Sequence, residues 1–187
     1  MKYCEITESH SEMGFNIDAY HGTNKDFDTF NNNHSGSGSR EGPLGFWFTD
    51  NPKTASDFSD FTSRGYYEGG SVIPVKLKIK HPLIIKSYDD IMDIIDKFTK
   101  FRRPDYKVSG RQIRMKNDEV NYEAARDWLK SQGYDGIILP NTLTDSPDGK
   151  TSITQYVVFE PNQIRSRFAK FDPTKKDSEK LNDSIIY

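Results

Sequence analysis

Four histidines, one cysteine and three short aromatic motifs are where this 187-residue sequence could do chemistry, and their spacing removes most options. His10, His21, His34 and His81 stand too far apart for a local metal site, HExxH is absent, and Cys4 has no second cysteine to join it. No metal centre is expected. GSGSREG, ending at Gly42, neither follows a clear strand nor closes in Gly-Lys-Ser or Gly-Lys-Thr, so it is not read as a phosphate loop; GxSxG is also absent. What remains is Tyr20-His21-Gly22-Thr23, then Gly45-Phe46-Trp47-Phe48-Thr49-Asp50, then Thr154-Gln155-Tyr156. A histidine ring donates from one nitrogen while accepting at the other, and a glycine beside it allows close backbone approach. Trp47 and Phe58 offer flat π faces, and Gln155 offers hydrogen bonds without charge.

The elements that must position these residues are short. Ala19 to Gly22, Leu44 to Thr49, Ser71 to Ile79, Leu83 to Ile85, Asp135 to Leu139 and Thr154 to Phe159 are β-branched or aromatic runs bounded by Gly or Pro, as strands are. Helices are expected over Asn51 to Phe61, with Asp50 or Asn51 as N-cap and Pro52 first, over Tyr88 to Phe101, and over Asp118 to Gln132 with Gly133 as the stop. Strands dominate both ends and helices lie between, which predicts an α+β class with a mostly antiparallel sheet. Asn31 to Gly45 and Asn141 to Thr151 read as loops, and Pro173 to Tyr187 as a polar tail whose removal should cost little, leaving a single domain over 1–172.

Hydrophobic residues make up only 34% of the chain, but 12 Phe, 10 Tyr and 2 Trp supply enough buried area per residue for a core. A formal charge of −2 gives no global attraction to nucleic acid or anionic lipid. The basic stretch through Lys97, Lys100, Arg102, Arg103 and Lys107, around Phe98 and Phe101, could touch nucleic acid, but the favoured reading is a charged helix end whose aromatics are buried. The first residues lack the apolar core of a signal peptide, no apolar run approaches a bilayer's thickness, and a lone cysteine forms no internal disulfide, so an intracellular protein without a membrane partner is expected.

Taken in order, the three motifs resemble the ADP-ribosyltransferases of the diphtheria-toxin and poly(ADP-ribose)-polymerase type, known for a His, Tyr, Glu triad. More closely, the chain looks like the ADP-ribosyltransferase-like domains in polyvalent proteins of phages and other mobile elements. The resemblance runs from Ala19 to Pro173 and takes in Tyr134 to Ile137 (YDGI) and Phe171 to Pro173 (FDP). It implies a split, mostly antiparallel sheet with flanking helices and NAD, the substrate, in the cleft between its halves. His21 would hold ribose hydroxyls and Gly22 would present backbone groups to the nicotinamide amide. Trp47 and Phe58 stand where the family's two aromatics sandwich the nicotinamide ring, with Thr23, Phe48 and Ala55 beside them and Arg40 of the Gly/Ser loop meeting phosphate. Gln155 takes the place of the catalytic Glu, so His21, Trp47 and Gln155 form the implied catalytic set.

A glutamine there keeps a hydrogen bond and loses a charge. Mono-ADP-ribosylation of a macromolecular acceptor, protein or nucleic acid, in the cytoplasm of a bacterial or phage-infected cell is the function implied. The alternative is a silent module that binds NAD or ADP-ribose, or an interaction domain of a mobile element. Each residue also has a plainer structural reading: Trp47 and Phe58 as core aromatics, Gln155 as an edge residue facing water, Arg40 as a solvated loop cation.

Overall fold

The computed structural model describes residues 14–31, 42–62, 65–66, 69–100, 107–108, 111–112, 119–142, 152–169, 172–175 and 177–182. Seven strands build the main sheet: β1 (Ile17–Thr23), β2 (Phe46–Thr49), β3 (Ser71–Leu77), β4 (Pro82–Ile84), β5 (Gly136–Thr142), β6 (Ile153–Val158) and β7 (Ile164–Ser166). Their spatial order is β7-β3-β1-β2-β6-β5-β4, antiparallel throughout except for β4 beside β5. Among the described residues three α-helices accompany them, α1 (Pro52–Asp60), α2 (Tyr88–Asp96) and α3 (Tyr122–Ser131). The expected α+β class with a mostly antiparallel sheet is what the chain forms.

Helix ends follow their capping chemistry. The Asn51 side-chain oxygen accepts from the backbone N–H groups of Lys53 (2.9 Å) and Thr54 (3.1 Å), so α1 starts at Pro52 as the sequence requires. α2 stops at Asp96, short of the expected Phe101. The Thr99 hydroxyl donates to the Ile95 carbonyl at 2.9 Å, and Thr99–Lys100 then pairs with Glu119–Val120. That pairing also delays α3, whose N-cap is Asn121, its side chain accepting from the Ala124 N–H at 3.0 Å. Gly133, at φ +88°, ends it in a conformation that favours glycine.

The YDGI segment ties the one parallel pairing together. Asp135 accepts from the backbone N–H groups of Lys80 and His81, both at 2.8 Å, and a Cβ on Gly136 would stand 2.8 Å from the Val157 carbonyl oxygen. Its signal in the sequence is structural.

Strand alternation sorts the core into two layers. Trp47, Ile137, Leu139 and Val157 pack against Ile91, Ile94 and Ile95 of α2 and Leu129 of α3. Ala19, Phe46, Phe48, Val75, Leu77, Val158 and Ile164 form the other layer, with Phe30 and Leu181. Leu181 speaks against the reading of 173–187 as a dispensable tail. It is buried at 3% exposure, its N–H donates to the Asp28 carbonyl at 2.8 Å, and its own carbonyl accepts from Ser166 at 3.0 Å. A lone leucine in a polar run has no period, so the sequence carries no sign that it docks.

The sheet is also split, as expected. β1 pairs with β3 along its whole length, Ile17 to Thr23 against Leu77 to Ser71, but meets β2 at one pair only, Tyr20 with Thr49. Among the described residues no helix is long and apolar enough to cross a membrane.

Candidate active site

The opening beside the Tyr20–Thr49 pair is bordered by three of the singled-out residues, His21, Trp47 and Gln155. Tyr20, Thr49 and Gln155 stand in one row across β1, β2 and β6, and with neighbouring strands about 4.8 Å apart the outer two lie roughly 10 Å from each other. Past that row the two strands part, and His21 bridges the gap. Its Nδ1 lies 2.9 Å from the Trp47 carbonyl oxygen. A carbonyl only accepts, so Nδ1 carries the proton and Nε2 of the neutral ring is an acceptor. The ring packs among Phe30 (5.0 Å between centroids), Phe48 (5.4 Å) and Phe27 (6.2 Å).

Burial in this aromatic setting pulls the His21 pKa below its ordinary 6.5, outweighing the Trp47 bond, which acts the other way. The unfolded chain therefore binds a proton at a pH where the folded chain does not. The neutral ring contributes stability present above about pH 6.5 and lost as the pH falls from there through the folded pKa. The Tm advantage of the natural chain over a His21→Gln variant is thus expected to shrink between pH 6.5 and 5. A constant difference would mean that the ring titrates as it does in solvent.

Gln155 is buried at 4% exposure, and its Oε1 accepts from the Tyr88 hydroxyl at 2.5 Å. The Tyr88 ring in turn lies nearly parallel to Trp47, 6.2 Å between centroids and 16° between planes. The Trp47 indole Nε1 is buried with no hydrogen-bond partner among the described residues. Tyr88 is the member that sequence reasoning missed. It stands 67 positions from Gln155 and is visible in the sequence only as the first residue of a helix, with no local signal of the contact.

A family model described as ADP-Ribosyltransferase in polyvalent proteins matches residues 12–171. The chain belongs to this family. No curated protein and no solved structure matches it.

In this ADP-ribosyltransferase domain the remaining site candidates fall into different places. Strand alternation puts His21 on one face of the sheet and Trp47 and Gln155 on the other, so the three share an opening rather than a surface. Phe48, at 3% exposure, is packed behind the His21 ring and not open to a ligand. Ala55 is likewise shut in at 1%. A Cβ on Gly22 would stand 1.8 Å from the Ala55 carbonyl oxygen, so this glycine is required for β1 to meet α1 whatever else its backbone does. The Thr23 hydroxyl oxygen accepts from the Lys25 N–H at 3.1 Å in the turn leaving β1. Arg40 lies outside the described residues.

Phe58, by contrast, is 52% exposed on α1, which rules out the plain reading of it as a core residue. Phe58→Ala is therefore expected to leave stability within about 0.5 kcal/mol and, if Phe58 meets the nicotinamide ring as the resemblance implies, to weaken nicotinamide-bearing ligands by about 0.5–1.5 kcal/mol while sparing ADP-ribose. Calorimetric titration of both ligands checks this; a variant that melts early would return Phe58 to a packing role. A cavity of about 470 Å³ opens near the other end of β6, lined by Lys78, Glu160, Asp177 and others, and no residue of the opening borders it. No group of three or more potential metal ligands occurs among the described residues.

Proposed function

We propose that this ADP-ribosyltransferase domain uses NAD as its substrate, releases nicotinamide and transfers a single ADP-ribose to a macromolecular acceptor in the cytoplasm of a bacterial or phage-infected cell. The observation that carries the reading is the meeting of His21, Trp47 and Gln155 at the opening between β1 and β2 in a chain of this family. The residue chemistry fits the ligand. The Nε2 acceptor of a neutral His21 suits a ribose hydroxyl, the Trp47 and Phe58 faces suit the nicotinamide ring, and the unpartnered Trp47 N–H suits a ligand oxygen. Gly22 would offer its backbone, Thr23 its neighbouring polar groups, and Arg40 a phosphate contact; Phe48 and Ala55 would act only by holding His21 and α1 in place.

In the reaction the C1′–nitrogen bond breaks, nicotinamide leaves with the electron pair, and the acceptor's nucleophile takes the carbon and gives up a proton. Positive charge grows on C1′ before the new bond forms, so whatever steadies that charge sets the rate. A buried neutral Gln155 supplies a hydrogen bond and a dipole but no negative charge. That limitation fits a single transfer better than chain growth, for which a carboxylate would help activate the incoming hydroxyl.

Nicotinamide release from NAD by the natural chain, Gln155→Glu and Gln155→Ala tests the proposal. Gln155→Glu is expected to raise release without acceptor by about tenfold or more, with a smaller change in NAD affinity, and Gln155→Ala to lower it. NAD binding with no release by any form, with or without host lysate, would identify a silent binding module instead. Equal, measurable rates in all three would remove Gln155 from the site.

A further inference from the structure

We propose that Tyr88 is a positioning residue for this site, holding both Gln155 and Trp47 in their working orientations; the inference rests on the function proposed above. Two contacts made by one side chain carry it. The phenol donates to Gln155 Oε1 at 2.5 Å, and the ring lies along Trp47 with only 16° between the planes. A glutamine side chain has three rotatable bonds and an amide that can turn over end for end. A phenol donor fixed on one side decides that its oxygen faces Tyr88, and so decides where its nitrogen points.

The element behind Tyr88 is rigid enough to impose that choice. Tyr88 opens α2, where the Asp90 carboxylate accepts from the N–H groups of Lys86 and Ser87, both at 3.0 Å. One and two turns further on, Ile91, Ile94 and Ile95 are buried in the core layer that also receives Trp47. The chain entering α2 is fixed as well, by the Ile85 N–H on the Ile138 carbonyl at 3.0 Å beside the β4–β5 pairing. Tyr88 is therefore an arm of the scaffold, and the two residues it touches come from β2 and β6, neighbouring strands of one half of the split sheet. Because a phenol donates equally well to a carboxylate oxygen, the same arm would hold a glutamate at position 155.

The test is a double-mutant cycle on nicotinamide release, with NAD binding followed by calorimetry. Tyr88→Phe keeps the ring on Trp47 and removes only the hydroxyl. It is expected to lower kcat about tenfold with KM changed less than threefold and Tm little changed. In a Gln155→Ala background the same substitution should alter kcat by less than twofold, because the group through which Tyr88 acts is gone. Tyr88→Leu, which also removes the stacked ring, should raise KM in either background. Equal kcat losses from Tyr88→Phe with and without Gln155 would overturn the positioning role while leaving the proposed function standing. A natural chain that neither binds NAD nor releases nicotinamide would overturn both.

Discussion

Gly22→Ala is expected to destabilise the domain by more than about 3 kcal/mol and to abolish activity along with it. The new methyl group would stand 1.8 Å from the Ala55 carbonyl oxygen, 2.8 Å from the Ala55 carbonyl carbon and 2.9 Å from the Ser59 amide nitrogen. All three are backbone atoms of α1, so no side-chain rotation can relieve the overlap and the whole helix must lift from β1. Set against a total stability of about 5–15 kcal/mol for an ordinary domain, such a loss populates the unfolded state heavily. Lifting α1 would also displace Phe58, the exposed aromatic that it carries. Urea denaturation followed by far-UV circular dichroism reads the effect as a lower midpoint, with Phe58→Ala as the α1 variant that should not move it. An unchanged midpoint for Gly22→Ala would mean that β1 and α1 are not in contact as described.

The second large effect is expected at Leu181. Truncation to alanine removes a buried side chain from the layer formed by Phe30, Phe46, Leu77 and Ile164, and should cost about 2–5 kcal/mol, a fall of roughly 4–20 °C in Tm. Lys180→Ala, at an exposed neighbouring position, should stay within about 0.5 kcal/mol. Deleting everything after residue 172 ought to be worse than Leu181→Ala, since it also removes the Lys175 carbonyl that accepts from the fully buried Arg165 guanidinium at 3.3 Å. Differential scanning calorimetry of the three forms decides it. A truncated chain as stable as the full one would restore the view of this segment as an expendable tail.

Segment 172–182 lies beyond the 12–171 span matched by the family, yet several of its residues pack against β7 and the turn after β1. A truncation chosen from the family boundary would therefore remove part of this chain's own core, and loss of activity in such a piece would report misfolding rather than chemistry.

The signals legible in the chain are local ones. Alternation in VIPVKLKIK marks β3, Asn51-Pro52 opens α1, Gly133 closes α3, and three short motifs in a fixed order single out His21, Trp47 and Gln155 and point to the family. Each of these signals spans only a few residues, because side-chain period, caps and turns act over one or two turns of chain. Everything that depends on register between distant strands is set by the folded chain alone. Pairing Tyr20 with Thr49 and Thr49 with Gln155 sends His21 to one face and Trp47 and Gln155 to the other, a division that a list of motif residues cannot contain. The same register packs Phe48 behind His21, and the seating of α1 on Gly22 shuts in Ala55. Tyr88 reaches Gln155 across 67 positions, and Leu181 reaches the core from a polar run. Contacts of this kind are fixed by how β1, β2, β6 and α2 stack as solid bodies, and only the folded chain brings those bodies together.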